Sequence, residues 1–217
     1  MSGINSSAFY RDGTRNRAAG ISGSGLPNGG IIDPREHKIK EGTTLIRFGG
    51  FPKMYQRETA SFVDGGAQYF GSQTASGEWW LDWENYKTIQ DHADRTRESV
   101  TYVLRQMCAV PDEWSDMSFV IQAVSRSPLL AYKGHGRAAN IRDKSGKLTG
   151  RINPTAVNAP LIEQLFIPGL NSPDLLKRAI FVHGKGFLDS GMSKKGARQQ
   201  AEQKAAMHAR LSAGVRR

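Results

Sequence analysis

Apolar positions along this chain fall into short runs with two different periods. Thr43-Thr44-Leu45-Ile46-Arg47-Phe48 is β-branched and apolar and closes on Gly49-Gly50, which predicts a strand followed by a turn. Ser118–Val124, Leu129–Lys133 after a Ser-Pro turn, Leu161–Ile167 and Ala179–His183 predict further strands. Glu84 to Val110 carries a helical period with a break around Asp94. Its second half places Val100, Val103, Leu104, Met107 and Cys108 on one stripe and stops at Pro111. Residues 134–154 read as a glycine-rich, basic loop or hairpin. A helical layer followed by several short strands predicts an α+β domain with a mixed or antiparallel sheet.

The two ends differ from this middle. Residues 1–32 are rich in Gly, Ser and Asn, with the run ISGSGLPNGG at 21–30, and are expected to form a flexible arm ending near Asp33-Pro34. At the other end, Ser193 is a plausible N-cap for a helix over Ala197–Leu211, built from Ala, Gln, Lys and Arg with a thin apolar stripe. The expected organisation is therefore an arm over 1–40, an α+β domain over 41–184 and a basic helix over 185–217. The formal charge of +10 follows the same division: +3 in residues 1–40, +1 in 41–184 and +6 in 185–217. The excess suits the C-terminal segment to an acidic partner, either nucleic acid or an acidic protein, or to solvent alone.

Composition narrows the class. The chain has 217 residues, enough for one domain, and 24 glycines, which argues against a long helical bundle. No run of about 18 apolar residues exists to span a bilayer, and the N-terminus lacks the apolar core of a secretory signal. A single cysteine, Cys108, allows no internal disulfide and reads as a small core residue. The expectation is a chain that is cytoplasmic as synthesised, with export into a target cell left to a route that uses no such signal. The five histidines have no close metal-ligand spacing, and no phosphate-loop, GxGxxG or GxSxG pattern occurs. His183, at a predicted strand end, has no identified partner for base catalysis.

Three ordered segments carry a resemblance. TTLIRFGG resembles the first strand of ADP-ribosyltransferases, where an arginine ends a strand soon after the domain begins. LIEQLFIPG resembles their late strand, which usually reads Glu-x-Glu, then apolar residues, then proline. Between them QYFGSQTASGEWW stands in the place of the family's Ser/Thr-rich and aromatic segment. Order and rough spacing suit the bacterial toxin and effector branch. The resemblance implies a split β-sheet domain over roughly 43–183 that uses NAD as substrate, with a macromolecular acceptor and room for an inhibitor protein.

The implied chemistry assigns the residues. Arg47 would hold NAD phosphate through its planar fork, with Gly49 and Gly50 letting the backbone approach and Phe48 beside them in the cofactor site. Phe70, Trp79 or Trp80 would stack on nicotinamide, and Ser72, Thr74 and Ser76 are either contacts or ordinary turn residues. If 78–83 is extended, Trp79 and Trp80 face opposite sides and one of them is core. Nicotinamide departs as a neutral ring and leaves a ribosyl cation, which in the family a glutamate stabilises. Aligning Pro168 with the family's proline puts Gln164 at that position and Ile162 two before it. Gln164 can hydrogen-bond a ribose hydroxyl but carries no charge. Glu163 points to the other face of the strand unless a slip or bulge intervenes.

Three outcomes stay open: a variant transferase using Gln164, a slipped site using Glu163, or an inactive relative. The competing functions are a noncatalytic nucleic-acid-binding or assembly protein displaying its basic ends, and an NAD glycohydrolase with water as acceptor.

Overall fold

The computed structural model describes residues 2–187 except 24, 50–74, 116, 118, 144, 155–157 and 159. The expected helix over Ala197–Leu211 with its Ser193 cap, and Phe70, Ser72, Thr74 and Gly50, lie outside the described residues. The fold is α+β with an antiparallel sheet. Its strands are β1 (Arg35–Ile39), β2 (Thr44–Gly49), β3 (Trp79–Asp82), β4 (Phe119–Ser125), β5 (Leu129–His135), β8 (Glu163–Phe166) and β9 (Ile180–Phe187). They run in the order β1-β5-β8-β3-β2-β4-β9, and every neighbouring pair is antiparallel. The basic glycine-rich stretch forms a separate hairpin of β6 (Ala139–Arg142) and β7 (Leu148–Ile152).

One junction of this sheet shapes the rest. β2 pairs with β4 along its whole length, Thr44 to Gly49, but with β3 only at Leu45↔Asp82 and Ile46↔Leu81. Past Ile46 the ladder between β2 and β3 ends while β2 continues along β4. The Arg47–Gly49 end of β2 therefore parts from the start of β3.

The predicted helical stretch is two helices, α3 (Trp83–Thr96) and α4 (Val100–Cys108). The Asp82 carboxylate caps α3 by accepting from Asn85 N, and Ser99 caps α4 by accepting from Tyr102 N. The break falls at Arg97, in the left-handed conformation with φ of 60°, three residues past the expected Asp94. Alternation along the strands sends Leu45, Trp80 and Leu165 into one core cluster. Ile46 and Leu81 join a second cluster with the apolar stripes of α3 and α4.

The N-terminal residues depart from the expected flexible arm. They form two short helices, α1 (Ser6–Phe9) and α2 (Thr14–Ala18), docked on the sheet. Phe9, Ala18 and Ile31 are buried with Leu130, Tyr132 and Phe166, and the Phe9 and Tyr132 rings stack at 4.6 Å. The Asn5 side chain donates to Leu130 O and Pro168 O and accepts from Leu130 N. A few anchors, spaced too widely for a local pattern, offset the ordering entropy of a polar segment. Strand β1, with the polar sequence REHKI, and α5 (Pro173–Ala179) were likewise outside the predicted elements.

Candidate functional site

A cavity of about 750 Å³ opens where β2 and β3 part. β2 contributes Arg47, Phe48 and Gly49, Glu78 comes from the residue just before β3, and the start of β3 contributes Trp79 and Trp80. Gln164 and Phe166 come from β8, and Cys108 from the end of α4. Trp114 in the following loop and Arg17 and Asn28 of the N-terminal segment complete its walls. Six residues expected at the site from separate parts of the sequence, Arg47, Phe48, Gly49, Trp79, Trp80 and Gln164, thus line one cavity.

Arg47 sits at the parting. Its Nη1 donates to Trp79 O at 2.9 Å and its Nη2 to Ser76 O at 3.0 Å, with the guanidinium 6.0 Å from the centre of the Trp80 ring. It thereby ties β2 to the entry of β3 just where the ladder has stopped. Burial pushes its pKa down to about 10, opposed by the negative charge of Glu78 nearby. Gly77 makes this seat possible. A Cβ there would fall 2.1 Å from Arg47 Nη2.

The tryptophans divide as strand alternation requires. Trp80 is the core member, 2% exposed, with Nε1 donating to Gly77 O at 2.8 Å. Trp79 is only partly buried and meets Phe166 edge to face at 5.0 Å. Arg17 lies over the other partner of that pair, 5.3 Å from the Phe166 ring centre. Trp83, in the first turn of α3, packs on Tyr86.

Gln164 and Glu163 part in the same way. Gln164 is buried, and its Nε2 donates to Cys108 O at 3.1 Å. The carbonyl can only accept, so it fixes which end of the amide faces it. The amide fits over Gly136, where a Cβ would approach Nε2 to 2.6 Å. Glu163 is on the other face. Its carboxylate pairs with Arg35 and lies 3.5 Å from Lys133 Nζ, and it does not line the cavity. β8 pairs in unbroken register with β5 from Glu163 to Phe166, so the slip or bulge that Glu163 needed is not formed. Cys108 lines the cavity with a thiol pushed up to about 12 by burial, which makes it a poor nucleophile.

Sequence reasoning passed over Glu78. Its Oε1 accepts from Gly169 N at 2.8 Å, its Oε2 pairs with Arg17, and its side chain is 13% exposed. Among the described residues it is the one carboxylate that lines the cavity. The available signal was its place beside the aromatic pair in Gly77-Glu78-Trp79-Trp80. The Arg17–Glu78 pair also borders a smaller cavity of about 390 Å³, lined in addition by Arg11, Asp174 and Arg178.

Fold and site together define an α+β protein with an aromatic-walled cleft at the parting of an antiparallel sheet. No family model matches the chain, and no curated protein matches it. Among solved structures it is similar to that of Tne2 in complex with Tni2, with 13% identity and a TM-score of 0.38 over 72% of this chain and 92% of that one. None of the described helices is long and apolar enough to cross a membrane.

Proposed function

We propose that this chain is an ADP-ribosyltransferase-like protein of toxin or effector type, which cleaves NAD and passes ADP-ribose to a macromolecular acceptor. One observation carries the reading: Arg47, Trp79, Trp80 and Gln164, assigned to NAD from three distant segments, line a single cavity. A volume of about 750 Å³ lies in the range of about 300–1,000 Å³ usual for small-ligand sites.

The residues present suit the chemistry. Trp79 and Phe166 offer an aromatic wall for nicotinamide. Arg47 has its fork engaged with backbone carbonyls, so its contribution to the pyrophosphate is chiefly its desolvated charge, assisted by Arg17. Gln164 hydrogen-bonds a ribose hydroxyl. When the bond between nicotinamide nitrogen and ribose breaks, its electron pair leaves with the ring, and the acceptor's lone pair forms the new bond as the acceptor gives up its proton to solvent water. The positive charge that develops on the ribose calls for a negative group. Among the described residues Glu78, its charge shared with Arg17, is the carboxylate in the cavity that can face it where Gln164 cannot. The C-terminal segment, at +6, attracts an acidic acceptor.

The test is incubation of wild type and Arg47→Ala with NAD in a cell lysate, one pool labelled in nicotinamide and one in adenine. Wild type is expected to release nicotinamide and transfer the adenine label to macromolecules, and Arg47→Ala to lose at least ten-fold in rate, the equivalent of about 1.4 kcal/mol. Adenine label recovered only as free ADP-ribose would make water the acceptor. No nicotinamide release from wild type overturns the reading.

A further inference from the structure

The cavity has a second aromatic surface that nicotinamide does not require. Trp114 lines it with 48% of the residue exposed, whereas Trp80 and Gln164 in the same cavity are 2% and 7% exposed. One indole therefore stands half-exposed at the rim, while Trp80 and Phe166 sit deep and Trp79 and Phe48 are partly buried.

That rim is braced rather than loose. Trp114 N donates to Pro111 O at 3.1 Å, closing a tight turn. Arg105 holds the loop on both sides, donating to Val110 O and to Ser115 O at 2.6 Å and pairing with Asp112 at 3.0 Å. Glu113 accepts from Arg142 N at 2.7 Å, which pins the loop to the β6–β7 hairpin. The far edge of the indole rests on Gly29, where a Cβ would come within 2.7 Å of Cη2. Gly29 N in turn donates to Ala138 O, and Asn28 Oδ1 accepts from Asn140 N. A rigid, half-exposed aromatic ring at the mouth of a polar-and-aromatic cavity is the arrangement that stacks a nucleobase with little ordering cost.

We propose that Trp114 is the stacking platform for the purine base at the far end of the substrate, so that the site recognises a dinucleotide at both bases and discriminates against the mononucleotide. The inference rests on the NAD reading above and adds to it the length and second base of the substrate.

The experiment is calorimetric titration of the full chain with carbocyclic analogues of NAD and of nicotinamide mononucleotide, whose sugar–base bond resists cleavage. Wild type, Trp114→Ala and Trp114→Phe are compared, with thermal melts to establish folding. Wild type should bind the dinucleotide more tightly than the mononucleotide. Trp114→Ala should lose roughly 5- to 150-fold for the dinucleotide, the range of one base stack, with mononucleotide affinity unchanged. Trp114→Phe should keep most of the preference. Equal weakening of both ligands, no weakening of either, or no preference in wild type overturns the platform while leaving the NAD reading in place. Binding of neither analogue by wild type, together with no nicotinamide release in the lysate assay, is failure of the NAD reading itself, and the platform falls with it.

Discussion

Two glycines seat two of the polar groups of the cavity, Arg47 and Gln164, and they do so at different cost. Gly77 has φ of +150° and lies under the Arg47 guanidinium, which is buried and bonded to two carbonyls. Gly77→Ala adds backbone strain of about 1–3 kcal/mol and dislodges hydrogen bonds from a charged group, worth about 1.5–3 kcal/mol each. With one such bond lost, the expected result is a melting temperature lower by roughly 5–24 °C. At Gly136 the one close approach is to the end of the Gln164 side chain, which can swing aside, while Met107 O and Pro154 Cγ stay at ordinary contact distance, 3.5 Å. Gly136→Ala is therefore expected to leave the melting temperature within about 3 °C while lowering kcat for NAD cleavage at least five-fold, since it moves the amide off Cys108 O. Melting curves and initial rates for the two variants check the contrast. Equal losses of stability would show that Gln164 is held as rigidly as Arg47.

At the scale of elements, Asp82 closes β3, caps α3 and joins two strands. Its carboxylate accepts from Asn85 N at 2.9 Å and from Lys133 Nζ of β5 at 2.8 Å. Burial raises its pKa, but the bonds from Lys133 and Asn85 outweigh burial and leave it below the ordinary carboxylate value of 3.8. A carboxyl held lower in the folded state than in the unfolded chain stabilises the fold above pH 3.8, and that contribution fades as pH falls through the folded value. Urea unfolding should therefore show wild type losing stability below about pH 4. Asp82→Asn should be less stable at pH 7 and show a shallower acid loss. An unchanged acid slope would place the titrating group elsewhere.

For the whole molecule, the N-terminal segment is a wall of the cavity as well as a part of the core. Phe9 is 1% exposed and stacked on Tyr132, and Arg17 pairs with Glu78 inside the cleft. Phe9→Ala is expected to cost about 3–5 kcal/mol, a drop of roughly 6–20 °C in melting temperature, because it opens a void between α1 and the sheet. Arg17→Ala is expected to spare most of that stability, since Arg17 is 44% exposed on its side chain. A Phe9→Ala melt indistinguishable from wild type would mean that the segment is dispensable to the fold.

Local periodicity is carried by neighbours in the chain, and it was legible. Short apolar runs mark β2, β4, β5 and β8, and the 3.6-residue stripe marks α4. Strand alternation alone separated Trp79 from Trp80 and Gln164 from Glu163, because successive side chains on a strand must face opposite ways. What no window of sequence contains is convergence. Asn5 bonds to residues 125 and 163 positions away, Glu78 meets Arg17 across 61, and Arg47 reaches the carbonyl of Trp79 across 32. Composition alone marks residues 1–32 as an arm, since it weighs polar content and cannot see a buried Phe9, Ala18 and Ile31 brought together by a sheet. The residue types and their alternation belonged to the sequence. Which of them share a cavity, with Glu78 admitted and Glu163 turned away, was decided by the tertiary structure, because long-range packing selects among side chains that local sequence leaves equivalent.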